Sequence, residues 1–465
     1  MTLLHAAPQS PTLADLAAAL PCDPHQLRTD QVAALLAQYV QPLAESEDVG
    51  IFDALGRVLA HDVISPLSVP PHDNSAMDGY ALAGSALVAG APLTLRVVGT
   101  VLAGATWASA INAGECLKIM TGAAMPTGLD TVVPQELTHT DTPGTSAGAD
   151  TITIAANTLR PGDNCRHQGE DLMQGSVALH QGALLTPPAL GLMASLGLAS
   201  VSVVRRLRVA YFSTGNEILS VGEPPRAGAV YDSNRYTLFG LLTRLGVQVI
   251  DLGVVPDSPA QLQAALLQAA QQADVILTSG GASAGEADHL RSTLQELGDA
   301  AFWRIHMRPG RPLAVGRIDH HKIMVKIGSS PCASSASSYQ KNSLLTTHRP
   351  LVFGLPGNPV AAMVSFLAFV RPALLRLMGS TQAPAPLLRA TCTEALHKKP
   401  GRTEYQRGWV STAADGTLQV RTTGNQGSGI LRSMVQANGL IVLGHNQGHV
   451  AAGETVSVMM LEGLM

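Results

Sequence analysis

Residues 278-TSGGASAGEADHL-290 set Gly280, Gly281 and Gly285 immediately ahead of Glu286 and Asp288. Glycines permit the positive φ angles that turn successive N–H groups toward one anion. A helix predicted from residue 287 adds partial positive charge at its N-terminus. Carboxylates beside such a cradle make chemical sense when a hard divalent cation stands between them and phosphate oxygens. They could also simply complement the helix dipole. Three other loops favour a shared site. The segment 213-STGNEI-218 again flanks a glycine with hydroxyls and ends in Glu217; 252-LGVVPDSP-259 offers Asp257; 355-LPGNPV-360 enters a helix through Gly357 and Asn358, stiffened by Pro356 and Pro359. A fifth, 303-WRIHMRPGRPL-313, brings Arg304, Arg308 and Arg311, whose planar forks suit phosphate or another tetrahedral oxyanion.

These loops need a common edge, and the pattern of residues 207–378 supplies one. Strand patterns at 207–213, 247–255, 274–279, 301–307 and 351–355 alternate with helical patterns at 233–246, 259–273, 287–298 and 358–375. Repeated βα units predict a doubly wound α/β domain with a parallel sheet, and such sheets bind ligands at the carboxyl ends of their strands. Residues 317–350, with the run 329-SSPCASSASS-338, read as a flexible insertion before the last strand.

The rest of the chain frames that domain. Residues 1–26 are Ala- and Pro-rich and read as a flexible tail. Residues 65–175 form a β-rich domain, from short apolar runs punctuated by Gly, Pro and Asp, and 383–465 a C-terminal β-barrel domain, from period-2 stretches such as 417–423 and 454–461, with 27–64 and 176–206 as an extended linking domain. The β-rich domain concentrates polar residues in 70-PPHDNSAMDGYAL-82, 119-IMTGAAMP-126 and 162-GDNCRHQGEDL-172. At 465 residues and 14% charged residues, several globular domains are expected, and a net charge of −4 argues against nucleic-acid binding. Five scattered cysteines without a CxxC pair suggest reduced thiols and a cytoplasmic protein. No Lys or Arg precedes Arg28, unlike the start of a signal peptide, and the most apolar stretch, 188–204, is interrupted by Gly and Ser, so no membrane span is expected.

The ordered stretches DNSAMDGYA, IMTGAAMP, GEDL, FSTGNEI, SGGASAGEAD, RPGRP and LPGNPV resemble the molybdopterin molybdenumtransferase family, the molybdenum insertases called MoeA in bacteria and present as a domain of gephyrin. The likeness runs from about residue 27 to the end, the Ser-rich insertion excepted. It implies a Mg²⁺-dependent cleavage of adenylylated molybdopterin with insertion of molybdate, giving molybdenum cofactor and AMP. Carried over by this likeness, Glu217, Asp257 and Asp288 hold the metal. Ser213, Thr214, Gly215, Ser279, Gly280, Gly281 and Ser283, with Pro356, Gly357, Asn358 and Pro359, shape the pterin-nucleotide cradle. Arg304, Arg308 and Arg311 supply positive charge, and Arg407 and Ser428, from the last domain, face the molybdate. Asp78, Thr121, Arg166 and Asp171 of the β-rich domain match functional positions and, in the family's elongated homodimer, complete the partner's cleft. Molybdopterin adenylyltransferase and molybdoenzyme chaperones are implied as further partners.

The chain departs from the family where Arg304, Arg308 and Arg311 replace lysines common in relatives, and where Asn216 stands in a place often filled by Asp. Two other functions fit parts of the pattern: a non-catalytic gephyrin-like scaffold, and a molybdopterin adenylyltransferase built on the related α/β domain. The flanking β-domains, and no appended interaction domain, favour insertion over both.

Overall fold

The structure is a computed structural model. It describes residues 12–19, 26–141, 150–280, 287–319, 322 and 349–465, with only the backbone of Ala17, Thr140, Asp141, Ala287 and Asp288.

Residues 208–377 form the α/β layer. Its strands are β1 (Arg208–Thr214), β2 (Gln248–Val255), β3 (Val275–Ser279), β4 (Gly298–Arg304), β5 (Pro312–Ile318) and β6 (Leu351–Leu355), in the order β2-β1-β3-β6-β5-β4. Its helices are α1 (Ser233–Arg244), α2 (Pro259–Ala270), α3 (Ala287–Leu297) and α4 (Pro359–Ser365). Alternation along the strands assigns the two faces. Val209 and Tyr211 join the core with Leu238 and Leu242 of α1 and Val360 and Val364 of α4. Ala210 and Phe212 join the opposite core with Leu262 and Leu266 of α2 and Leu290 and Leu294 of α3.

The sheet is mixed, not wholly parallel. β2, β1, β3 and β6 are parallel, but β5 is antiparallel to both β6 and β4. Strand β5 was absent from the sequence pattern because PLAVGRI follows a Pro-Gly turn and its apolar run is only four residues long. The correction matters for function. With β4 and β5 paired as a hairpin, residues 305–311 turn at the same edge as the carboxyl ends of β1, β3 and β6.

Part of the N-terminal tail also needs correction, while residues 1–11 and 20–25 of it lie outside the described residues. Leu13–Ala18 is a helix opened by Thr12, whose N–H and Oγ1 donate to Asp15. Leu13 is 1% exposed, and its N–H donates to Asp299 Oδ2 at 2.9 Å. Its apolar residues dock, and docking rather than composition decides order here. The helix Thr29–Tyr39 buries Val32, Leu35 and Leu36 against the same α/β core, although the sequence grouped it with the linking segments.

Ser46–Gly50 pairs with Ser200–Val204 and Val63–Ile64 with Val177–Leu179, joining the two linking segments. Between them, Gly79–Leu82, Leu93–Val101, Glu115–Ile119, Thr131–Pro134, Thr138–Asp141 and Thr151–Ile154 make a six-stranded sheet. At the other end a ring of pairings closes a barrel: Thr403–Thr412 meets Leu418–Thr422, then Leu388–Cys392, Thr455–Met460, Gly439–Leu443 and Thr403–Thr412 again. Closure leaves no free edge in that ring. One described helical stretch, Pro359–Leu377, is long and apolar enough to cross a membrane, yet 72% of its most apolar window is buried in the α/β core. Of the calls on the insertion, residues 320–321 and 323–348 lie outside the described residues.

Candidate active site

The ends of three neighbouring strands make the floor of the site. Ser213 of β1 is in register with Ser279 of β3, which is in register with Leu355 of β6. Gly280 follows with φ +94°, and a Cβ there would lie 2.4 Å from the Thr214 carbonyl oxygen. Any side chain would push these ends apart, so the loop needs glycine. Across the floor, the 305–311 turn is equally tight: Gly310 has φ +92°, and a Cβ would meet Ser365 Oγ at 2.5 Å.

The cleft above this floor measures about 970 Å³, a size suited to a nucleotide-sized ligand. Ser213, Thr214, Glu217, Ser279 and Gly280 line one side; Pro356, Gly357, Asn358 and Pro359 another; Arg308 and Arg311 the third. Ser428, with Gly427 and Gly429, closes it from the C-terminal barrel. Two contacts lock barrel to sheet. Met307–Arg308 adds as a parallel strand to Thr403–Glu404, and the Val360 N–H donates to the Ser428 carbonyl at 3.1 Å.

Several polar groups in this floor are buried without a hydrogen-bond partner among the described residues: Ser213 Oγ, Thr214 Oγ1, Asp232 Oδ2 and Asn234 Oδ1. Leaving such a group unsatisfied costs about 1–3 kcal/mol, so a cluster of four marks a surface made for a ligand rather than for the fold. Asp232 and Asn234 were missed by sequence. DSN before a helical pattern reads as a cap, and Asp232 is one, accepting from the Arg235 N–H at 3.0 Å. Only its second oxygen, left over, reveals another role.

Other expected residues lie elsewhere. Asp257 does not line the cleft, but its N–H donates to Asn216 Oδ1 at 3.2 Å, so its loop abuts the Glu217 turn. Arg304 is exposed at the end of β4 and outside the cleft lining. Gly215 connects Thr214 to Glu217 without lining the cleft. Gly281 and Ser283 fall outside the described residues, as does the side chain of Asp288, whose backbone opens α3.

Arg407 is 1% exposed and faces a smaller adjoining cavity of about 240 Å³ that it shares with Arg308. Its Nε donates to Ser433 Oγ at 3.0 Å and its Nη2 to the carbonyls of Asn425 and Gly427 at 3.2 and 2.9 Å. Burial, then the charge of Arg308, pulls its pKa down to about 10. The same cavity is lined by the carboxylates of Glu394 and Glu404, the latter held by Arg402 Nε at 2.8 Å, so its two arginines sit in a mixed-charge pocket.

In the β-rich domain, Asp78 Oδ1 accepts from both the N–H and Oγ1 of Thr121 at 2.7 Å, which lowers its pKa. Arg166, in the short strand Cys165–Arg166, and Asp171, in the bend after it, are both exposed. None of the four lines the cleft of its own chain. Asp73, Cys165 and His167 there form one group of metal-ligand type, with ligand atoms within 4.8 Å of one another, also away from the cleft lining.

Comparison with known proteins places this architecture. Residues 27–197 match the family described as MoeA N-terminal region (domain I and II), 210–376 the probable molybdopterin binding domain, and 389–461 the MoeA C-terminal region (domain IV). The molybdopterin molybdenumtransferase of Haemophilus influenzae is 38% identical over 433 residues, covering 93% of this chain and 98% of that protein. The chain belongs to the MoeA family. Another member, molybdopterin molybdenumtransferase 2 of Mycobacterium tuberculosis, is 35% identical and covers 88% of this chain and 94% of its own. The MoeA fold is shared with the crystal structure of a molybdopterin biosynthesis moeA protein from Pyrococcus horikoshii OT3, at TM-score 0.73 and 24% identity, covering 94% of this chain and 100% of that one.

Proposed function

We propose that this MoeA-family chain is a transferase of molybdenum cofactor biosynthesis that inserts molybdate into adenylylated molybdopterin in a Mg²⁺-dependent step, releasing AMP. The observation that carries the reading is the cleft itself: unpartnered hydroxyls, the carboxylates of Glu217 and Asp232 and the arginines Arg308, Arg311 and Arg402 converge where three strands end and the barrel closes over them.

Glu217, Asp257 on the abutting loop and Asp288 in the first turn of α3 would supply the oxygen donors that Mg²⁺ takes. Bound there, the ion would neutralise charge on the phosphoanhydride oxygens. The protein's own groups do the rest. Ser213 and Thr214 hydroxyls hold the anionic chain against β1, and Arg311 balances its charge from the opposite wall. The cavity shared by Arg308 and Arg407 would take the second substrate, molybdate, with Arg402 engaging the Glu404 carboxylate that also lines it. Arg407 also ties down the 425–429 loop, so the anion pocket and the cleft's roof are one unit.

The reading includes a homodimer. Asp78, Thr121, Arg166 and Asp171 are remote from the cleft of their own chain, and Phe52, Leu55 and Ile64 of the linking segments expose apolar surface. Packing of that surface in a symmetric dimer would let the β-rich domain complete the partner's cleft. Mixing Asp78→Ala and Glu217→Ala proteins should then restore activity that neither shows alone. A cytoplasmic setting fits the free thiols of Cys116, Cys165 and Cys392.

The direct test is incubation with adenylylated molybdopterin and Mg²⁺, with and without molybdate. AMP release that depends on molybdate supports insertion; ATP consumption would point instead to adenylyl transfer, and neither activity to a scaffold.

A further inference from the structure

Asn234, in the first turn of α1, is 7% exposed. Its Nδ2 donates to Ser279 Oγ at 2.6 Å and to the Gly357 carbonyl at 2.7 Å. The second contact decides which way the amide points. A carbonyl oxygen can only accept, so Oδ1 in that place would repel it. Both protons of the amide nitrogen are thereby committed, one to the end of β3 and one to the loop after β6. Ser279 Oγ must then accept, and its own O–H is left to donate. No acceptor among the described residues takes that proton, and Ser279 lines the cleft. The chain of bonds is polarised in one direction, from Asn234 through Ser279 to whatever occupies the site.

We infer that Asn234 is a positioning residue that fixes Ser279 as a hydrogen-bond donor to an anionic phosphate oxygen of the substrate. Through Gly357 it also holds the loops after β3 and β6 at the separation this donor requires. Ser279 in this arrangement is neither a base nor a nucleophile, since its lone pair is engaged and its proton faces the ligand. The inference rests on the reading of the cleft as a phosphoanhydride site.

The test is calorimetric titration of the full chain with adenosine diphosphate, a stable phosphoanhydride, in the presence of Mg²⁺. Ser279→Ala removes the donor and should weaken binding about ten- to a hundredfold, the range for a hydrogen bond to a charged group. Asn234→Asp keeps the shape but accepts the serine proton, turning it away from the ligand, and should weaken binding as much. The double variant Asn234→Ser with Ser279→Ala, which adds no charge, should bind no worse than Ser279→Ala alone, because Asn234 acts through Ser279. Asn234→Ser, which retains a small donor, should fall between wild type and Asn234→Asp and serves if the carboxylate variant does not fold. Wild-type affinity in a folded Asn234→Asp or Asn234→Ser variant, or additive losses in the double variant, would overturn the inference alone. Failure of the wild type to bind the diphosphate would overturn the functional reading beneath it as well.

Discussion

The two edges of the central sheet are built on opposite principles. At the amino edge, Asp274 precedes β3 with its carboxylate 1% exposed and accepts five hydrogen bonds, two from Arg205 and three from Arg208. Its backbone bonds to Arg208 and Leu351 tie β1, β3 and β6 together. At the carboxyl edge of the same strands, Ser213, Thr214, Asp232 and Asn234 keep buried polar atoms without partners among the described residues. One edge satisfies its buried charge internally; the other leaves groups waiting for a ligand. Stability and binding are thus separated along a strand of only seven residues, Arg208–Thr214.

Mutations should expose that separation. The largest effects belong at the carboxyl edge: Asp257→Ala and Asp288→Ala should abolish turnover, and Glu217→Gln should lower it about a hundredfold or more. Single-turnover AMP release measures this, and the melting temperature should stay at the wild-type value. At the amino edge the pattern inverts. Asp274→Ala removes the buried carboxylate partner of Arg208 and one of the two carboxylate partners of Arg205, which keeps Glu45, and should cost about 3 kcal/mol in urea unfolding, with turnover per folded molecule unchanged. A loss of turnover there without a loss of stability would erase the distinction.

Acid titration gives a finer view. Burial alone would raise the Asp274 carboxyl, but Arg205 and Arg208 outweigh it and hold its pKa at about 2. The unfolded value is about 3.9. A folded-state pKa below the unfolded one means the contribution is complete above about pH 4 and is lost as pH falls toward 2. Wild type should therefore lose stability across that window faster than Asp274→Asn does, as read by urea unfolding at stepped pH. The smallest effect is expected for Ser213→Ala. Removing an unpartnered buried hydroxyl should raise stability by about 1 kcal/mol, the low end of the cost of leaving it unsatisfied, while weakening ligand binding.

Much of this was legible in the residues. The strands at 207–213, 274–279 and 351–355 were marked by β-branched and apolar runs, and the Gly-bearing loops after them by their hydroxyls and acids. What escaped reading were groups whose local role hides a second one. Asp232 caps a helix with one oxygen and leaves the other over; Asn234, in the first turn of the same helix, bonds Ser279 Oγ and the Gly357 carbonyl across the floor. Antiparallel β5 was hidden by the turn before it, and the helix Leu13–Ala18 by an Ala- and Pro-rich setting, since both depend on packing partners far away in the chain. Nor could spacing reveal that the β-rich domain's Asp78 and Thr121, though bonded to each other, stand apart from their own chain's cleft.

Amide hydrogen exchange, with and without adenosine diphosphate and Mg²⁺, addresses the division between the two edges most directly. Added protection should appear in residues 213–217 and 279–280 and at Gly357 and Asn358, with none added at 205–208 or 274. Protection confined to the amino edge, or spread evenly over the sheet, would contradict it.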